Sequence, residues 1–116
     1  MAIERTPYEQ LAAYMGRRHP RADYYFAAAG FVLDEYATLH WESGSQMTYP
    51  GLVICPKPDG TRQRKRDGSW ASERIAKQAA MLKEWAGRGY VAQFAVGLGE
   101  AKEMIDSYLA YSGRPR

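Results

Sequence analysis

The chain has 116 residues, 46% of them hydrophobic and 25% charged, with a formal net charge of +3. That length holds one core and excludes two, the composition excludes a disordered chain, and the small positive charge permits an anionic partner without demanding one. A single cysteine, Cys55, excludes an internal disulfide framework and fits a reducing cytoplasm, while no apolar run approaches the roughly 18 residues of a membrane span. The opening Met-Ala-Ile-Glu-Arg-Thr-Pro carries no signal-peptide hydrophobic region.

Thr6-Pro7-Tyr8-Glu9 is a helix start: Thr6 caps, Pro7 suits the first turn, and Glu9 stands where a capping box needs an acid. Leu11, Tyr14 and Met15 then form an apolar stripe that Gly16 and Pro20 should end. Residues 23–29, with Tyr24, Tyr25 and Phe26, predict a first strand before Gly30. Leu33, Tyr36, Ala37, His40 and Trp41 stand at helical intervals and predict a short helix over 33–41, broken by Ser43-Gly44-Ser45. The apolar run 49–55 predicts a buried strand, ended by Pro56-Lys57-Pro58-Asp59-Gly60 because proline cannot donate to a ladder. Residues 61–69 are polar and basic and read as a hairpin or a mobile loop. Ser72 then caps a helix reaching about Gly87, with Ile75, Ala79, Leu82 and Trp85 or Ala86 inward. A third strand follows over 90–96. Gly97 to Gly99 turns the chain into a last helix with Met104, Ile105, Tyr108 and Leu109 on one face, and the tail from Ser112 should fray.

Over residues 49–111 this pattern resembles the C-terminal part of the virus-type replication-repair nuclease (VRR-NUC) domains of the PD-(D/E)xK superfamily. The residues that carry the resemblance are Gly51-Leu52-Val53-Ile54, Lys57, Lys65-Arg66-Asp67-Gly68-Ser69, Gln78-Ala79-Ala80-Met81-Leu82, Gly89-Tyr90, Phe94-Ala95-Val96-Gly97 and Glu100-Ala101. The stretch from Asp67 to Gly97 is the most specific; the first helix and His19-Pro20 fit more loosely. The resemblance implies an α/β fold, a single small domain with a restriction-endonuclease-like mixed sheet flanked by helices. It also implies a phage or prophage origin and homodimerisation.

Nucleases of this kind hold Mg²⁺ or Mn²⁺ with carboxylates, and a lysine stabilises the developing charge. Here Cys55-Pro56-Lys57 replaces the family's Glu-x-Lys. Lys57 matches the catalytic lysine and Gln78 the helix glutamine, but a neutral thiol is a poor ligand for a hard cation. Tyr49-Pro50-Gly51 is the nearest string to the family's Pro-Asp turn, with glycine where aspartate would stand; Glu4 and Glu9 are offset from the first-helix glutamate, and Arg5 has the wrong charge. The expectation is a catalytically silent protein with no cofactor and no metal site.

Each residue also has a plainer reading. Lys57 is then a solvated charge after a strand, Gln78 packs at the sheet edge, and Cys55 is a small buried hydrophobe. His19 and His40 lack zinc-like spacing, and Asp59 and Asp67 sit in Asp-Gly turns. Arg62, Arg64 and Arg66 would share one face of a hairpin, a phosphate-tracking strip joined by Lys65, with Trp70 behind as a stacking platform. The same strip suits an acidic protein surface. The partner expected is therefore nucleic acid or a host nucleoprotein such as a bacterial defence complex, in the host cytoplasm and away from membranes. The alternative is an active Mg²⁺- or Mn²⁺-dependent DNA endonuclease with relocated carboxylates from Glu9, Asp34, Asp59 or Asp67.

Overall fold

Thr6 caps the first helix as its sequence requires: its hydroxyl accepts the Glu9 N–H at 3.2 Å, and α1 (Pro7–Arg18) follows. The structure, a computed structural model, describes residues 6–27, 30–40 and 43–111, without the His40 side chain. Glu4, Arg5 and the tail expected to fray lie outside the described residues. Gly16 does not end α1. An interior glycine costs about 1 kcal/mol, too little to stop a helix whose Leu11, Tyr14 and Met15 are all buried.

The remaining elements are β1 (Tyr24–Ala27), β2 (Gly30–Leu33), β3 (Ala37–His40), β4 (Gln46–Tyr49), β5 (Leu52–Lys57), α2 (Glu73–Gly87), β6 (Val91–Val96) and α3 (Leu98–Ala110). Four strands form a mixed sheet in the order β1-β2-β5-β6, antiparallel except for the parallel pair β5–β6 that α2 connects. The fold is thus the expected α/β class, a single domain with a mixed sheet flanked by helices. Among the described residues no helix is long and apolar enough to cross a membrane.

Two further expectations fail. The segment 33–40 is not helical: Leu33 closes β2, and residues 37–40 pair with β4 as a separate two-stranded sheet, with Thr38 and Thr48 hydroxyls 2.9 Å apart. Tertiary contacts override the helical spacing. The buried Glu35 carboxylate accepts the Asp23 N–H at 2.8 Å, and the Tyr108 hydroxyl donates to the backbone carbonyls of Glu35 and Tyr49 at 2.5 and 3.2 Å. Burial pushes the Tyr108 hydroxyl well above its ordinary range, so it stays a donor.

Nor does Pro56 end its strand, since β5 runs on to Lys57, which pairs with Val96. The Lys57 carbonyl faces β6, where it accepts the Gly97 N–H at 2.8 Å. Alternation turns the backbone of Pro56 the other way, past Gly30 where β2 begins. A missing N–H there removes no bond to β6.

Alternation along β5 also divides the core. Leu52 and Ile54 join Phe31, Leu33, Ala95, Leu11, Met15, Ala101 and Ile105 beneath α1 and α3. Val53 and Cys55 join Val32 and Leu82 beneath α2. Both sets approach the same strand end, where β5 delivers Lys57.

Candidate functional site

Strand alternation puts Lys57 on the α2 side of the sheet, two residues beyond the buried Cys55. There its ammonium donates to the Gln78 side-chain oxygen and lies 5.9 Å from the centre of the Phe94 ring. The two residues singled out from different elements are therefore partners, a strand-end lysine held by a helix glutamine. Arg74 stands one turn before Gln78 on α2, so the same helix face carries both toward the strand end. Burial pushes the Cys55 thiol up, against the lowering influence of Lys57 and Arg74. Burial likewise raises the Tyr8 hydroxyl, which senses the Cys55 sulfur and, in the opposite direction, Arg74. A thiol kept neutral beside two fixed cations does not fit a hard divalent ion, which needs oxygen anions.

On the other side of the same strand end, a cleft of about 930 Å³ opens between α1, the β5 terminus and the start of α3. Among the described residues its charged lining is Arg17, Lys57 and Lys102 against one carboxylate, Asp59. Asp59 lies against Gly97, whose φ of +85° with ψ of 153° is open only to glycine; a Cβ there would overlap the Asp59 Oδ1.

Of the four carboxylates that an active nuclease would recruit, Asp59 alone lines this cleft. Glu9 belongs to the first turn of α1. Asp34 follows Leu33, which pairs with the first residue of β5, at the far end of the sheet from Lys57. Asp67 closes a turn by accepting the Ser69 hydroxyl and N–H at 2.6 and 2.9 Å, bonds that hold its carboxyl below the usual range. Among the described residues no three His, Cys, Asp or Glu side chains gather as a metal cluster. Gly51, read as standing in for a metal-binding aspartate, precedes β5 at the end opposite Lys57, where a Cβ would strike the Leu33 carbonyl at 2.5 Å. Gly30, at the start of β2, lies nearer the Lys57 end of β5; a Cβ there would meet the Ile54 carbonyl at 3.1 Å.

The basic segment forms a hairpin. Ala71 N–H reaches the Gln63 carbonyl and Lys65 N–H the Ser69 carbonyl, both at 2.8 Å, around an Arg64–Trp70 bridge. Arg64 is committed to this turn: it donates to the Gly68 carbonyl at 2.7 Å and stacks 3.9 Å from the centre of the Trp70 ring. Trp70 in turn packs against Phe94 at 6.1 Å. One ring face of Trp70 is thus covered by Arg64; all four cations of the hairpin are exposed, but Arg62, Lys65 and Arg66 are the ones not tied into its turn. Through Trp70 and Phe94 the hairpin is continuous with Lys57 and Gln78.

Sequence reasoning missed Arg17, Arg74 and Lys102, each one cation on a helix surface with no motif around it. It also missed a clasp between α1 and α3. The Tyr14 hydroxyl donates to Asp106 at 2.6–2.7 Å, and His19 Nε2 lies 2.7 Å from the same carboxylate. Burial pushes the Asp106 carboxyl up, but the hydrogen bonds from Tyr14 and His19, with the charges of His19 and Arg18, outweigh it and leave it low. No family model matches the chain, and no curated protein or solved structure matches it significantly.

Proposed function

We propose that this chain is a nuclease-fold domain of the VRR-NUC kind that has lost metal chemistry and works by binding the backbone of a nucleic acid. The observation that carries this reading is the charge at the β5 terminus. Arg17, Lys57, Arg74 and Lys102 surround a strand end at which Asp59 is the one acid in the cleft among the described residues, and the exposed Arg62, Lys65 and Arg66 extend the same sign along the hairpin. Such a surface attracts polyanions and repels divalent cations.

The order of parts supports the family reading. A strand ending in lysine, a polar hairpin, a helix whose glutamine faces that lysine, Gly89-Tyr90 leading into a strand, and a closing helix beginning near Glu100-Ala101 follow one another as in those domains. A bacterial host cytoplasm, where a phage protein meets nucleic acid, is part of this proposal.

Fluorescence anisotropy with labelled DNA and RNA, between about 50 and about 200 mM salt, tests it. Charge reversal at Arg62, Lys65 and Arg66 should weaken binding and flatten the salt dependence, by about one unit of slope for each phosphate no longer neutralised. Unchanged affinity and slope would contradict this reading and favour an acidic protein partner, such as a host defence complex.

A further inference from the structure

We infer that the place where a nuclease would hold its divalent cation is, in this chain, a phosphate site in which Lys57 and Arg74 grip one phosphate group directly. The inference rests on the nucleic-acid reading above and names the atoms that would make its central contact.

Lys57 and Arg74 come to one place by simple geometry. Arg74 and Gln78 are four residues apart on α2 and so share a face, and Gln78 accepts a bond from the Lys57 ammonium. That bond uses one of three ammonium donors and fixes the direction of the other two. The guanidinium of Arg74 brings a planar fork suited to phosphate oxygens. A shallow cavity of about 350 Å³, lined by Glu73, Arg74, Lys77, Gln78 and Met81, opens beside the glutamine that holds Lys57.

The placement of Arg74 is otherwise unfavourable. It stands in the first turn of a 15-residue helix, where the peptide dipoles already present positive charge. The neighbouring acid, Glu73, is turned to Lys77 at 3.8 Å, and among the described residues no carboxylate forms an ion pair with Arg74. Two cations and a helix N-terminus converge, and the one neighbouring acid among the described residues, Glu73, is largely exposed and turned to Lys77. A bound phosphate removes that conflict, whereas a metal ion would deepen it.

The phosphate belongs either to a backbone diester or to a strand's terminal monoester. A labelled single-stranded oligonucleotide, with and without a 5′-phosphate, distinguishes them by anisotropy in EDTA and in Mg²⁺ at matched ionic strength. Binding should persist in EDTA. Arg74→Gln and Lys57→Gln should each weaken it by about tenfold or more, the loss expected for a hydrogen bond to a charged group, while Lys83→Gln, on the exposed side of α2, leaves it nearly unchanged. If the ligand is the terminal monoester, removing the 5′-phosphate costs the same factor and makes Arg74→Gln silent; if it is a diester, both oligonucleotides respond alike. Wild-type affinity in Arg74→Gln, or binding that requires Mg²⁺, overturns the phosphate site; loss of binding in the Arg62, Lys65 and Arg66 reversals would still uphold the nucleic-acid reading. Failure of the wild type to bind any oligonucleotide overturns both.

Discussion

Two helices, α1 and α3, cover one face of the four-stranded sheet, while α2 alone covers the other. On the first face Leu11, Phe31, Leu33, Ile54, Ala95, Ala101 and Ile105 are fully buried, and the apolar layer continues through Met15 and Leu52. On the second face the layer is thinner. Val32, Val53, Cys55 and Leu82 are followed within two residues along β5 by Lys57 and its glutamine partner. A single strand supplies both faces by alternation. Stability is concentrated on the side of Ile54 and chemistry on the side of Lys57, so substitutions one residue apart in β5 should report on different properties.

The largest effect expected from this contrast is in the double-helix layer. Ile54→Ala should lower unfolding stability by about 3–4 kcal/mol, whereas Cys55→Ala, which removes one sulfur beneath α2, should cost about 1 kcal/mol. Urea unfolding of both variants measures the difference, and equal losses would break the division between the faces. Next comes Gly97→Ala at the mouth of the cleft, where positive φ and the Asp59 carboxylate both oppose a side chain. It should destabilise by about 2 kcal/mol, and adding Asp59→Ala should recover the part due to the clash alone.

Smaller again is Arg64→Ala. Losing the stack on Trp70 should cost about 0.5–1 kcal/mol and speed hydrogen exchange at the Lys65 amide, with helix amides unaffected. The smallest effect is the pH response of the α1–α3 clasp. Asp106 has its carboxyl held low in the folded state, so its contribution is present above the unfolded value of about 3.9 and is lost as pH falls through the lower folded value. Urea midpoints measured from about pH 6 down to about pH 3 should therefore converge for wild type and Asp106→Asn at the acid end. A constant gap between them would show that the carboxylate's charge is not what fastens the helices.

Much of this was legible in the residues. Thr6 and Ser72 announced α1 and α2 because a cap is a local device, satisfied by an N–H three residues away. Segment 33–40 misled for the opposite reason: Leu33, Tyr36 and Ala37 fit a helix until Tyr108, some 70 residues later in the chain, claims the Glu35 carbonyl. Pro56 misled because its tolerance depends on where a neighbouring strand begins. At the site, Lys57 and Gln78 were found through pattern, but their contact was not, and Arg74 left no trace at all. Its significance arises only when the crossover from β5 through the hairpin returns α2 over the strand it came from. The role of Arg64 was hidden likewise, since alternation alone does not reveal that the turn would use the middle arginine for its own closure.

The most direct measurement is incubation of plasmid DNA with the wild-type protein and Mn²⁺, read on a gel beside Lys57→Ala. Binding without cutting at a strand end of thiol, proline and ammonium, as proposed, predicts plasmid that is retarded but intact with the wild type, and intact again with the variant. Nicking or linearisation by the wild type that vanishes in Lys57→Ala would contradict it.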